Sequence, residues 1–220
     1  MRTRSLLPVL ALALVACGGD VSFTFRSAID FQLDTADLDV PADYQGGGTV
    51  ASIPCSGMCP TIEGVTSECV DSVCDPDPIL TLVDLGVLDV SDEVEEAEGT
   101  PLSSVDTVEL IEVDYEVTRN TLGVDLEPVE VFWTIDSDVA GSDLRLLAIF
   151  PATAADATPS GSGTLDPAGS RELTEFFEGG GRQLRFFARG GTDLFPGGPL
   201  PDGIFDVRVL LRLRVVGSVF

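Results

Sequence analysis

The closing stretch GIFDVRVLLRLRVVGSVF places Phe205, Val207, Val209, Leu211, Leu213 and Val215 at every second position. Asp206, Arg208, Arg212 and Arg214 stand between them. A period of two is the repeat of an extended strand, whose successive side chains point to opposite faces. One face of this segment must therefore be buried and the other wetted. The same pattern recurs upstream. Ile111, Val113, Tyr115 and Val117 alternate with Glu112, Asp114 and Glu116, and Val129, Val131, Trp133 and Ile135 alternate with Glu130, Thr134 and Asp136. Runs of this kind, separated by glycine and proline, predict an all-β chain folded as an antiparallel, Ig-like β-sandwich with one solvated face per sheet.

Further strands are expected at 21–26, 29–33, 48–53, 79–90, 143–150 and 182–189. One short helix is expected over Ser170–Glu178, because Leu173, Phe176 and Phe177 have helical spacing, Ser170 can cap and Gly179 can terminate. It is expected to plug an end of the sandwich. The charged stretch from Ser91 to Ser104 is expected to be irregular.

Charge narrows the chemistry. The chain carries 37 acids and 12 cations, all of them arginine, and has no histidine. Mechanisms that use a histidine base, a histidine metal ligand or a Schiff-base lysine are excluded. So acidic a surface repels phosphate backbones, so nucleic acid is not an expected partner. The charges are also segregated: Ser27 to Thr118 holds 22 acids and no cation, while eight arginines lie between Arg145 and Arg214. Carboxylates that face the late arginines across strands account for this more simply than an acidic face that gathers cations.

The first residues, MRTRSLLPVLALALVAC, join two arginines to a short apolar run and end in Leu14-Val15-Ala16-Cys17. The apolar run is shorter than the roughly 20 residues of a membrane-spanning helix, and the segment has the parts of a secretory signal peptide. Its ending resembles the lipobox of bacterial lipoproteins. That resemblance implies cleavage before Cys17, a diacylglyceryl thioether on its sulfur, and a protein anchored outside the cytoplasm. Two or three acyl chains make such an anchor stable where one is marginal. Gly18 and Gly19 follow, so the aspartate associated with inner-membrane retention is absent from the second position, directly after Cys17, which points to the outer membrane. Val21, Phe23 and Phe25 already alternate, so the tether is short.

The segment CSGMCPTIEGVTSECVDSVC holds Cys55, Cys59, Cys69 and Cys74 in the pattern C-x3-C-x9-C-x4-C. Structural zinc knuckles are usually tighter, as C-x2-C, and a thioredoxin-like motif needs C-x-x-C beside a βαβ unit. In an oxidising compartment pairing is the default, so disulfides are expected ahead of zinc ligation or redox work. Three connectivities exist, with links between the two halves favoured because they restrain longer loops.

No residue is assigned a catalytic or metal-binding role. The sequence has no G-x-S-x-G elbow, no H-E-x-x-H pair and no phosphate-binding glycine loop. Calcium is the one cofactor considered, at the acidic stretches 34–43, 75–84 and 136–143, but none fits an EF-hand loop. A carboxylate pair acting on glycans is the enzymatic alternative. Arg182, Arg185 and Arg189 beside Phe186 and Phe187 suggest an anion patch, although strand arginines over core aromatics explain them more simply.

The LVAC ending, the four-cysteine segment, VELIEVDYEVTRNTLGVDLEPVEVFW (108–133) and the closing strand together resemble envelope lipoproteins of the myxobacterial type, a family without known activity. The resemblance implies a lipid-anchored, acidic, disulfide-bearing module of the cell envelope, periplasmic or surface-exposed. It would bind an envelope protein or glycan, or serve a structural role, with calcium-dependent adhesion as the alternative. The expected organisation is a signal peptide at 1–16, a lipidated N-terminus with the first strands at 17–54, a cysteine-rich loop at 55–78 and the main sandwich at 79–220.

Overall fold

The computed structural model describes residues 20–35, 40–62, 65–90, 104–135 and 143–218. The expected signal peptide, Cys17, most of the irregular stretch from Ser91, and residues 136–142 of the third acidic segment lie outside them.

The expected antiparallel sandwich is present. Its strands are β1 (Asp20–Asp34), β4 (Ile79–Asp89), β5 (Ser104–Asn120), β6 (Val129–Thr134), β7 (Arg145–Phe150), β8 (Ser160–Ser162), β9 (Thr164–Leu165), β10 (Gln183–Thr192) and β11 (Ile204–Ser218). A separate hairpin joins β2 (Ser67–Val70) to β3 (Val73–Pro76), and one helix, α1, spans Pro167–Glu178. One sheet has the order β1-β11-β5-β8 and the other β4-β10-β6-β7-β9. The closing strand is therefore not an edge: it runs between the first strand and the middle one, antiparallel to both.

The alternation of β11 divides as the sequence demands. Phe205, Val207, Val209, Leu211, Leu213 and Val215 are all buried. They meet Val113, Tyr115 and Val117 of β5 beside them and Val131, Trp133, Leu184 and Phe186 of the facing sheet. Each such burial is worth about 1.5–3 kcal/mol. On the outer face, Arg208 pairs with Asp30 of β1 at 2.8 Å, while Arg212 and Arg214 pair with Glu112 and Glu109 of β5 at 2.9 and 3.2 Å. Every one of these partners is also the directly opposed residue in the strand register. The segregation of charge along the sequence is thus undone in space, as cross-strand pairing expects.

The second sheet repeats the device around aromatics. Phe132 and Phe187 are opposed across β6 and β10 and lie outside the main core, yet both are buried. Arg189 covers the Phe132 ring at 4.8 Å and Arg185 the Phe187 ring at 5.7 Å. Arg189 is bonded to Glu130 at 2.7 Å, and Arg185 to Asp84. The hydrogen bond from Arg185, followed by that from the Gly86 amide, holds the Asp84 carboxyl below its ordinary range. Arg182 donates to the carbonyls of Phe177 and Gly181. These arginines are committed to the fold, and the anion-patch reading loses its donors.

Four local expectations are corrected. The two early strands are one, because Ser27 is buried in phase with Phe25 and Ile29 and only its polarity interrupts the pattern. In β5 a register shift opposite Arg212 and Leu213 leaves Ile111 as an extra residue, so Leu110 takes the buried position expected for Ile111. Ile135 falls just beyond β6 and is 56% exposed. The stretch 48–53 is not a strand: Gly47 and Gly48 have positive φ and turn the chain, leaving only isolated bridges.

The helix starts earlier than its apolar spacing indicates. Asp166 caps it, its carboxylate accepting from the Gly169 amide at 2.7 Å, and Pro167 occupies the first turn, where a missing N–H is tolerated. Gly169 lets the helix approach β7 so closely that a Cβ there would lie 1.7 Å from the Leu146 carbonyl oxygen. Leu173 and Phe177 enter the core, and Trp133 Nε1 donates to the Gly169 carbonyl at 3.3 Å.

Leu211→Ala and Arg214→Gln separate the two faces of β11. In urea unfolding, the first should lower stability by about 2–5 kcal/mol through the cavity it leaves. The second should cost no more than about 1 kcal/mol, as exposed pairs do.

Candidate functional site

The four cysteines form two bridges, Cys55–Cys69 and Cys59–Cys74, each joining one half of the segment to the other. Their Cα atoms are 5.9 and 5.6 Å apart. Cys69 and Cys74 are directly opposed in the β2–β3 hairpin, so their side chains share one face. The hairpin turns through Asp71 and Ser72, both with positive φ, as two-residue loops require. Its backbone is also tied to the preceding loop: the Cys55 amide donates to the Ser72 carbonyl at 3.0 Å and the Cys74 amide to the Ile53 carbonyl at 2.8 Å. With sequence separations of 14 and 15, the bridges each restrain the unfolded chain by roughly 3 kcal/mol.

Below the hairpin lies a small second core of Tyr44, Val50, Ile62, Ile79 and Leu194. Ile79 opens β4 and Leu194 follows β10, so this core fastens the cysteine segment to the sandwich. Tyr44 is fully buried and its hydroxyl has no hydrogen-bond partner among the described residues, an arrangement that costs stability.

A cleft of about 250 Å³ opens where hairpin and sandwich meet. Glu68, Asp75 and Asp77 line it from the hairpin side, and Asp193 from the chain leaving β10. Glu68 and Asp75 are opposed across the hairpin, a like-charge pairing that the sheet opposes and solvent or a cation relieves. Val70, Pro76, Pro78 and Phe195 supply the apolar wall. Phe195 is 62% exposed, an unusual position for a phenylalanine. Among the described residues no arginine lines the cleft. By contrast, the space between the sheets around Phe31, Leu33 and Val83 is only about 20 Å³, room for one water and for no organic ligand.

The second acidic stretch, 75–84, is divided by the fold: Asp75 and Asp77 reach the cleft, whereas Asp84 is bound to Arg185. Of the first, 34–43, residues 36–39 lie outside the described residues. One carboxylate pair stands close by. The charge of Asp193, and the hydrogen bond that the protonated Glu127 carboxyl donates to it, raise the Glu127 carboxyl above its ordinary range.

Comparison of the chain with protein-family models, curated proteins and solved structures gives no match.

The sequence had exposed the cysteines and their acidic flanks but not the cleft, which needs Asp193 and Phe195 from more than a hundred residues further on. One signal was readable. Phe195 stands in DLFPGGPL, outside any alternating run, where neither strand face claims it.

Thiol counting on the denatured, unreduced protein should find Cys55, Cys59, Cys69 and Cys74 all blocked. Replacing both Cys55 and Cys69 by alanine should lower stability by about 2–4 kcal/mol while the sandwich still forms; four free thiols in the native sequence would overturn the pairing.

Proposed function

We propose that the chain is a lipid-anchored, extracytoplasmic lipoprotein whose folded part is a binding module of the cell envelope, with the cleft beside the cystine hairpin as its binding site. The observation that carries this reading is the cleft itself: four carboxylates and an exposed phenylalanine around one opening, with no cation among its lining residues. Carboxylates attract positive charge and an exposed ring offers both an apolar and a cation–π surface. The ligand of matching chemistry is a cationic segment with an apolar side chain, as in a basic loop of an envelope protein.

The anchor rests on the lipobox resemblance at 14–17, with the outer membrane as the expected site. Strand β1 adds a geometric argument. It begins at Asp20, a few residues after Cys17, and its 15 residues at about 3.3 Å each carry the chain some 45 Å before the cysteine segment starts. The Thr35 amide there meets the Gly203 carbonyl, in the same connection between β10 and β11 that carries Asp193 and Phe195. An anchor at residue 17 thus leaves the cleft at the end of the sandwich away from the lipid.

A glycan hydrolase finds less support. Its two carboxyl groups must stand about 5–10 Å apart with sugar or water between them. Glu127 and Asp193 act on each other as a close pair, the charge of Asp193 raising the Glu127 carboxyl.

Two measurements test the proposal. Cys17→Ser should release the protein from membranes into the soluble fraction; continued sedimentation with membranes would remove the lipid anchor from the reading. An arginine- and leucine-containing model peptide should bind the wild-type domain and lose affinity in Asp75→Asn/Asp77→Asn and in Phe195→Ala, more strongly at low salt. Equal binding by all three proteins would remove the cleft from the reading. A melting temperature raised by calcium and restored by EDTA, and lost in the same aspartate variant, would replace the cationic peptide by calcium.

A further inference from the structure

The cystine segment presents more than two staples. The sulfurs of Cys55, Cys59 and Cys74 all lie within 4.8 Å of one another, and Cys69 is bonded to Cys55. Three sulfurs are therefore gathered at one point, and the fourth, that of Cys69, is one S–S bond away from it. A tetrahedral zinc–thiolate centre has Zn–S bonds of about 2.3 Å, which places its sulfurs roughly 3.8 Å apart. The three gathered sulfurs lie within 4.8 Å of one another, and that of Cys69 has to turn inward as its bond to Cys55 opens.

What would hold the sulfurs together once those bonds open is the backbone. Cys69 and Cys74 remain opposed in the β2–β3 ladder. Cys55 stays tied to Ser72, and the bridge between Pro54 and Val73 aligns the loop with the hairpin. Three of the four positions are thus fixed by hydrogen bonds that do not depend on the disulfides. The fourth, Cys59, follows Gly57, whose positive φ bends the loop back towards the hairpin. Cys74 is fully buried and the other three are half-buried, so the centre is sheltered yet reachable.

We propose that this segment is a redox-gated metal site: oxidised it is a double cystine, and reduced it binds one zinc ion through Cys55, Cys59, Cys69 and Cys74. The chemistry balances as follows. A dithiol reductant gives two electrons and two protons to each disulfide, breaking its S–S bond and forming two thiols, while the dithiol closes to its own disulfide. Two reductant molecules thus yield four thiols. Zinc then replaces their four protons, which pass to solvent, and four Zn–S bonds form. Oxidation by a disulfide donor reverses both steps and expels the metal. Thiolate ligands favour a borderline-soft d10 cation over calcium or magnesium, so the site is chemically distinct from the carboxylate cleft beside it.

Cobalt is the probe, because its visible spectrum distinguishes tetrahedral thiolate from octahedral oxygen ligation. The full-length chain carrying Cys17→Ser, so that only the four thiols are present, is reduced, freed of metal and titrated with cobalt. The expected result is one cobalt per chain with the strong tetrahedral bands and sulfur charge-transfer absorption, displaced by one equivalent of zinc. The oxidised chain and a reduced Cys69→Ser/Cys74→Ser chain should show neither. Trp133, 1% exposed in the sandwich core, reports by its fluorescence whether the domain remains folded during reduction. A reduced, folded chain that shows only weak octahedral bands overturns the proposal. So does binding that begins only after Trp133 becomes exposed, since an unfolded chain would then be supplying the ligands.

Discussion

The antiparallel pairing of β11 with β1 on one side and β5 on the other is the constraint from which the remainder of the domain follows. It joins the first and last described strands and places the middle of the chain beside them, so the first sheet cannot close until the end of the chain is present. Nearly all of its contacts are distant in sequence, the kind of topology that folds slowly because loop entropy is lost before the contacts are gained. The strand meets this cost on both faces. Its inner face contributes the centre of the core, and its outer face fixes register, since sliding by one residue would bury Arg208, Arg212 and Arg214 and expose six large apolar side chains. The arginine–carboxylate pairs contribute little energy individually, as exposed pairs do. Their directly opposed positions make them marks of register more than sources of stability.

The sequence was most informative where burial is one-sided. In β11 and most of β5 the alternation states which side chains meet the core, and the structure agrees residue by residue. It was least informative where a local irregularity resets the phase. Nothing in VELIEVDYEV marks Ile111 as the extra residue, because Leu110 and Ile111 are equally apolar and only the pairing with β11 decides between them. Ser27 misleads in the opposite sense, a polar residue in a core position. The start of α1 was hidden because a capping aspartate and a proline carry no apolar periodicity. The cystine pairing was legible only as a preference for long links, and the cleft scarcely at all, since its two walls are joined by tertiary folding alone.

Charge acts on two scales in this molecule. Across strands Arg185, Arg189, Arg208, Arg212 and Arg214 each neutralise one acid. Around the hairpin negative charge is left in excess, with Glu68 facing Asp75 and Asp193 facing Glu127. Uncompensated carboxylates strain the native state, and the two disulfides fasten the part of the chain where that strain is concentrated. The hairpin is short, has non-glycine residues at both positive-φ turn positions, and rests on a small core with an unsatisfied tyrosine hydroxyl. A two-stranded hairpin alone is marginal in water. The disulfides add covalent rigidity to the backbone ties that already align Cys55, Cys69 and Cys74.

Strand β1 has a mechanical consequence. It lies at the edge of its sheet and, among the described strands, is hydrogen-bonded to β11 alone, with hydrogen bonds that run perpendicular to its length. A protein fixed at residue 17 and pulled at its far end would be strained along the axis of this strand. All rungs of the β1–β11 ladder would then resist together in shear, instead of opening one after another. With the proposed anchor at residue 17, the geometry that would hold the cleft away from a membrane is also one that resists being pulled there.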